Sequence, residues 1–152
     1  MLNKLKKRIK DKTVIACIGN ELRTDDGVGP YIAKTLSDST KYNVINCEDV
    51  PEHFTGEIKR HNPKTVIFID AVQMDAEPGS ASIIETKDLD VYRIFTAHKV
   101  PLKVLFNYIE KETGADVFLI GIQPENMQDG KTLTPKVKKS AEYLEDILRG
   151  IV

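Results

Sequence analysis

No apolar stretch in this chain of 152 residues approaches the roughly 20 residues that a membrane-spanning helix needs. The basic opening, MLNKLKKRIKDK, lacks the apolar centre of a secretory signal. Cysteine is scarce. The two present, Cys17 and Cys47, lie in apolar runs and read as reduced and buried rather than as a disulfide framework. An excess of charge of either sign is missing too: 22 Lys and Arg face 23 Asp and Glu, a net charge of −1. Nothing there attracts nucleic acid or a membrane surface. Internal repeats and low-complexity segments are absent. What remains, 41% hydrophobic and 30% charged, is an ordinary globular composition. The expectation is a single domain over residues 1–152, cytoplasmic, and a monomer when free, because no conspicuous apolar surface stripe is left once the core faces are assigned.

The periodicity is that of an α/β protein. Leu2, Leu5 and Ile9 share one face of a short basic amphipathic helix within an N-terminal extension, residues 1–12. Its simplest role is to pack on the domain; docking to an acidic partner is the alternative. Val14 to Ile18 is a continuous apolar run, as for a strand covered on both faces. Gly27 to Leu36 predicts a helix, Asn43 to Cys47 a strand, and His53 to Arg60 a short helix that Asn62-Pro63 terminates. Thr65 to Ile69 is a third strand, ending at Asp70. This alternation argues for right-handed crossovers and a parallel sheet. Only about ten residues then separate Asp70 from the strand-like Ala81 to Thr86, too few for a helical crossover, so that strand belongs at an antiparallel edge. Val100 to Thr113 reads as a helix with Pro101 in its first turn and Gly114 as its cap. Asp116 to Ile122 is a last buried strand, and Thr134-Pro135 opens the final helix. The fold class is three-layer α/β: a twisted, mostly parallel five-stranded sheet with helices on both faces.

In such a sheet, ligands bind beyond the carboxyl ends of the strands. The stretch TVIACIGNELRTDDGVG, Thr13 to Gly29, brings an apolar strand and a glycine turn to two adjacent acids, Asp25 and Asp26. A phosphate-binding turn would carry glycines there. The Gly19, Gly27 and Gly29 spacing is not G-x-G-x-x-G, and acids would repel a pyrophosphate. Acid at this position suits a cation or a polarised water. Helix-dipole stabilisation accounts for one of the two acids without a functional role. Asp70 follows a buried run, where an isolated charge is costly. It either caps nearby backbone N–H groups or acts as a ligand or base. His98 lies in a loop before a helix, whereas His53 and His61 sit on a polar surface helix. Two carboxylates and an imidazole converging on one edge would form a three-donor N/O site suited to a divalent transition metal.

These residues carry a family resemblance. GNELRTDDGVG (Gly19 to Gly29), FIDAV (Phe68 to Val72), TAHKVPL (Thr96 to Leu102) and FLIGIQPE (Phe118 to Glu125) resemble, in order and spacing, the blocks of the hydrogenase maturation endopeptidases. Those enzymes trim the C-terminal tail of the large subunit of nickel–iron hydrogenases. The last block resembles the branch serving formate-hydrogenlyase-type and energy-converting hydrogenases. The resemblance begins near Thr13 and implies a twisted five-stranded sheet between helices. It implies metal ligation by Asp26, Asp70 and His98, and an aspartic-type peptidase in which Asp26 or Asp70 activates the attacking water. The metal would be nickel supplied by the substrate precursor, with other divalent metals substituting in vitro. Gly19, Asn20 and Gln123 would line the substrate, with Asn20 and the amides near Gly19 facing an oxyanion. The other readings are a non-catalytic nickel-precursor chaperone using the same site, and a peptidyl-tRNA-hydrolase-like enzyme. The latter needs a histidine soon after the glycine turn, where this chain has acids.

Overall fold

The computed structural model of the chain describes residues 1–94 and 100–150. Strands β1 (Thr13–Ile18), β2 (Asn43–Glu48), β3 (Thr65–Gln73), β4 (Ala81–Glu85) and β6 (Asp116–Ile122) lie in the order β2-β1-β3-β6-β4. β1, β2, β3 and β6 are mutually parallel. β4 pairs antiparallel with β6 at the edge, as its short connection requires. A two-residue strand, β5 (Arg93–Ile94), pairs antiparallel with Val72 and Gln73 of β3. The sequence showed no sign of it, since two residues have no periodicity to read.

All six residues of β1 are buried, as are the first eight of β3, which explains why neither strand alternates. Their side chains divide between two cores. Ile15, Cys17, Ile67, Ile69 and Ile120 face α2 (Val28–Leu36) and α5 (Pro135–Leu148). Val14, Ala16, Ile18, Val66, Phe68 and Leu119 face α3 (Thr55–Arg60) and α4 (Leu102–Thr113). There Phe68 stacks on Phe106 with ring centroids 4.4 Å apart. Burial of each such side chain stabilises by about 1.5–3 kcal/mol.

The basic N-terminal segment is part of the domain. Helix α1 (Leu2–Arg8) buries Leu5 completely in the first core, with Leu2 and Ile9 packed beside it. Its last residue, Arg8, donates to both oxygens of Asp116 (2.9 and 2.7 Å) and both of Glu85 (2.6 and 3.0 Å). The same guanidinium lies 4.0 Å from the Phe118 ring centroid. One side chain thus ties α1 to the two strands at the antiparallel edge.

Several boundaries differ from expectation. β3 runs past Asp70 to Gln73, because β6 and β5 continue to supply it with partners. The helix expected from Gly27 is a 3-10 turn over Thr24–Gly27 followed by α2, and the one expected from His53 is a 3-10 turn over Pro51–Phe54 followed by α3. Pro101 precedes α4 in extended conformation rather than opening its first turn. Thr134 sits at the N-cap of α5 without a side-chain bond to that helix.

Candidate active site

The carboxyl ends of β1 and β3 meet the loop that leads into α2. Gly19 follows β1 with a φ of +152°. A Cβ built there would lie 1.9 Å from the main-chain oxygen of Asp26, so only glycine lets the acid turn fold back over the strand end. Gly29 has the same necessity one helical turn on, where a Cβ would stand 2.1 Å from the Ile18 carbonyl oxygen. The backbone in between is bent sharply enough to hold Thr24 at a φ of +48°, sparsely populated for a non-glycine residue.

This folding back buries Asp26 completely and presses the Thr24–Gly27 turn against β3, where Asp70 is also fully buried. The Asp26 carboxylate accepts the Asn20 N–H at 3.1 Å. Asp70 pairs in register with Gly121 of β6, and its Oδ1 accepts the Ala71 N–H at 2.8 Å. The two acids named in the sequence therefore occupy adjoining elements at one edge of the sheet.

His98, the expected third donor, lies outside the described residues. Among the described residues no group of three His, Cys, Asp or Glu side chains could hold a metal ion. The three substrate-contacting residues expected from the sequence separate. Gly19 and Asn20 line an open cleft of about 220 Å³ together with Leu22, Pro30, Asn46 and Glu48. Their amides are already engaged: Gly19 donates to the Glu48 carbonyl at 2.7 Å, and Asn20 to Asp26. An oxyanion role for either amide requires it to exchange that partner. Gln123 is buried, and its amide bonds the Met74 N–H, the Gln73 side chain and the Pro124 carbonyl.

Asp25 is also fully buried in the first turn of the Thr24–Gly27 3-10 helix, the helix-start position open to either acid, and its carboxylate is bonded by a distant segment. Its Oδ2 accepts the N–H groups of Glu125 and Asn126, both at 2.9 Å, and the Thr134 hydroxyl at 2.7 Å. Its Oδ1 accepts the Thr134 N–H at 2.8 Å. The partners lie about a hundred residues along the chain, so local pattern held no trace of them.

Both thiols are buried. Burial in β1 pushes the Cys17 thiol far above its ordinary value, with Cys47 and Glu145 adding to the effect. Burial, with Glu57 and Glu52, pushes Cys47 up to about 12. Both cysteines are free and remain protonated at neutral pH.

The chain is thus a three-layer α/β protein with buried carboxylates, Asp26 and Asp70, on adjoining elements and two buried free thiols. The sequence profile of the hydrogenase maturation proteases matches residues 27–150, and the chain belongs to that family. The hydrogenase 3 maturation protease of Escherichia coli K12 is 31% identical over 90% of this chain and 88% of its own length. The crystal structure of the nickel–iron hydrogenase maturation protease HycI from Thermococcus kodakarensis KOD1 superposes with a TM-score of 0.87 at 30% identity, covering 97% of both chains. A crystal structure of a hydrogenase 3 maturation protease gives 0.83 at 28% identity over 93% of this chain and 91% of that one. The family resemblance read from the four motifs and the mixed five-stranded sheet are both borne out. The peptidyl-tRNA-hydrolase-like reading falls away.

Proposed function

We propose that this protein is an endopeptidase that removes the C-terminal tail of a nickel–iron hydrogenase large-subunit precursor and reads the nickel already present in that substrate. The observation that carries the reading is the pair of fully buried carboxylates, Asp26 and Asp70, on adjoining elements in a chain of this family. Nickel belongs to the substrate here. Asp26, Asp70 and His98 are its proposed protein ligands, and carboxylate and imidazole donors suit a divalent ion of this kind. An assembly completed only when the precursor brings its metal would leave metal-free precursor uncut.

The chemistry is of the aspartic type. With both thiols protonated and buried, the attacking group is a water, and Asp26 or Asp70 takes its proton as general base. The leaving amine then recovers a proton from the same carboxyl group. The cleft beside Gly19 and Asn20 accepts the chain next to the scissile bond. The free, reduced cysteines accord with a cytoplasmic protein. The large exposed apolar side chains, such as Leu22, Val104 and Tyr143, sit on separate elements, which accords with a monomer. Among the described residues no helix is long and apolar enough to cross a membrane.

The test is mass spectrometry of nickel-loaded and nickel-free precursor after incubation with wild type, Asp70→Asn and His98→Ala. Wild type shortens only the loaded form, and each variant slows tail removal by at least about 100-fold. Full processing by both variants would sink the assignment. Binding of loaded precursor without any loss of mass would establish the chaperone reading instead.

A further inference from the structure

The turn that carries Asp26 is joined to the helix it enters by the Val28 N–H, which donates to the Asp25 carbonyl. Within the turn, Asp26 N–H donates to the Arg23 carbonyl at 3.0 Å and Leu22 N–H to the Asn20 side chain at 3.0 Å. A second set of bonds runs from the turn to a distant segment, residues 125–134. Thr24 N–H donates to the Gly130 carbonyl at 2.9 Å, and Gly130 N–H returns to the Leu22 carbonyl at 3.0 Å. Asp25 N–H donates to the Asn126 carbonyl at 3.0 Å, and the Thr24 hydroxyl to the Gln128 carbonyl at 2.5 Å. Arg23 and Gly130 form an isolated parallel bridge. At the centre is the Asp25 carboxylate with its four donors from Glu125, Asn126 and Thr134.

Two features make Asp25 more than a loop staple. Its neighbour Thr24 is strained, at a φ of +48°, and this strain would be relieved if the turn were released. Its four donors are neutral, fixed and all directed at one anion, and charge-assisted bonds of this kind are about twice as strong as neutral ones. Because Asp25 and Asp26 are consecutive, any movement of one backbone unit carries the other.

We infer that Asp25 is a positioning residue: by clamping residues 125–134 to the acid turn it holds Asp26 in its buried place beside β3. The functional half of this inference rests on the proposed role of Asp26 and Asp70 in precursor cleavage.

Asp25→Asn is the direct test, because an amide turns one acceptor into a donor that faces donors. Two readouts are needed. Amide hydrogen exchange at Asn20, whose N–H bonds the Asp26 carboxylate, reports the position of Asp26 without any substrate. Steady-state cleavage of nickel-loaded precursor reports function. In Asp25→Asn, the Glu125, Asn126 and Thr134 amides and also the Asn20 amide exchange at least about tenfold faster, while β1 and β3 amides stay protected. The cleavage kcat falls by about 10- to 100-fold with KM within about threefold, as for a displaced catalytic group. Thr134→Val, which deletes one of the four donors, shows the same pattern to a smaller degree and covers the case in which Asp25→Asn does not fold. Thr134→Ser, which keeps the hydroxyl, restores kcat to within about threefold of wild type. Unchanged Asn20 exchange in a folded variant whose 125–134 amides have been released overturns the inference. If wild type itself leaves the precursor intact, the proposed function fails, and the Asn20 exchange still decides whether Asp25 positions Asp26.

Discussion

Replacing Gly19 with alanine adds one methyl group at the point where the acid turn folds over β1. That methyl carbon would stand 1.9 Å from the Asp26 carbonyl oxygen and 3.1 Å from the Pro30 side chain. To reach even a tight contact of about 3 Å, the Asp26 backbone must retreat by about 1 Å or more, and overpacking of this kind costs about 1–3 kcal/mol. The φ of +152° adds backbone strain that alanine bears and glycine does not. A displacement of about 1 Å at a reacting group is worth about 100-fold in rate. Gly19→Ala is therefore expected to unfold some 3–10 °C below wild type and to lose about 100-fold in kcat for tail removal, measured at a temperature where it remains folded. Gly114→Ala is the control. Gly114 caps α4 at a φ of +71° with nothing within 4 Å of its absent Cβ. It incurs the backbone strain, about 1 kcal/mol, with no effect on cleavage. Gly19→Ala with wild-type kcat would refute the argument that this glycine positions Asp26.

Two further expectations concern stability. Glu145 of α5 is almost wholly buried and accepts a bond from the Thr35 hydroxyl. Burial raises its carboxyl from 4.5 to about 7, with Glu142 and Asp146 pushing the same way and Arg149 opposing. A raised folded value means the protonated form is favoured in the native state, so this stability is present below about pH 4.5 and is lost as pH rises through about 7. Glu145→Gln is thus expected to raise the melting temperature at pH 8, by up to about 3 kcal/mol in stability, and to change nothing near pH 4. An equal gain at both pH values would contradict the assignment. Arg8→Lys removes the planar fork that bonds Asp116 and Glu85 together, and should cost about 1–2 kcal/mol, less in high salt because both acids are half-exposed. A melting curve superimposable on wild type would show that the Arg8 fork contributes nothing beyond the apolar packing of Leu2, Leu5 and Ile9.

Features that depend on neighbours along the chain were legible from the residues in order. Unbroken apolar runs at Val14–Ile18 and Thr65–Ile69 marked strands covered on both faces, because burial of both faces removes alternation. The short link to Ala81 dictated an antiparallel edge. An acid directly after a buried strand marked Asp70, and the glycine turn followed by acids marked Asp26. Both carboxylates are indeed buried where those patterns place them. Which distant groups complete each side chain emerged only from the folded arrangement. Asp25 stands in a first helical turn, as local pattern allows for one of the two acids, but its carboxylate partners are Glu125, Asn126 and Thr134. Thr134 looked like a helix cap, yet its hydroxyl goes to Asp25. Gln123 looked like a groove residue, yet its amide closes bonds inside the protein. In each case a buried polar group requires a partner, and the residue type shows that requirement. The identity of the partner follows only from the crossing of strands that brings residues a hundred positions apart within 3 Å.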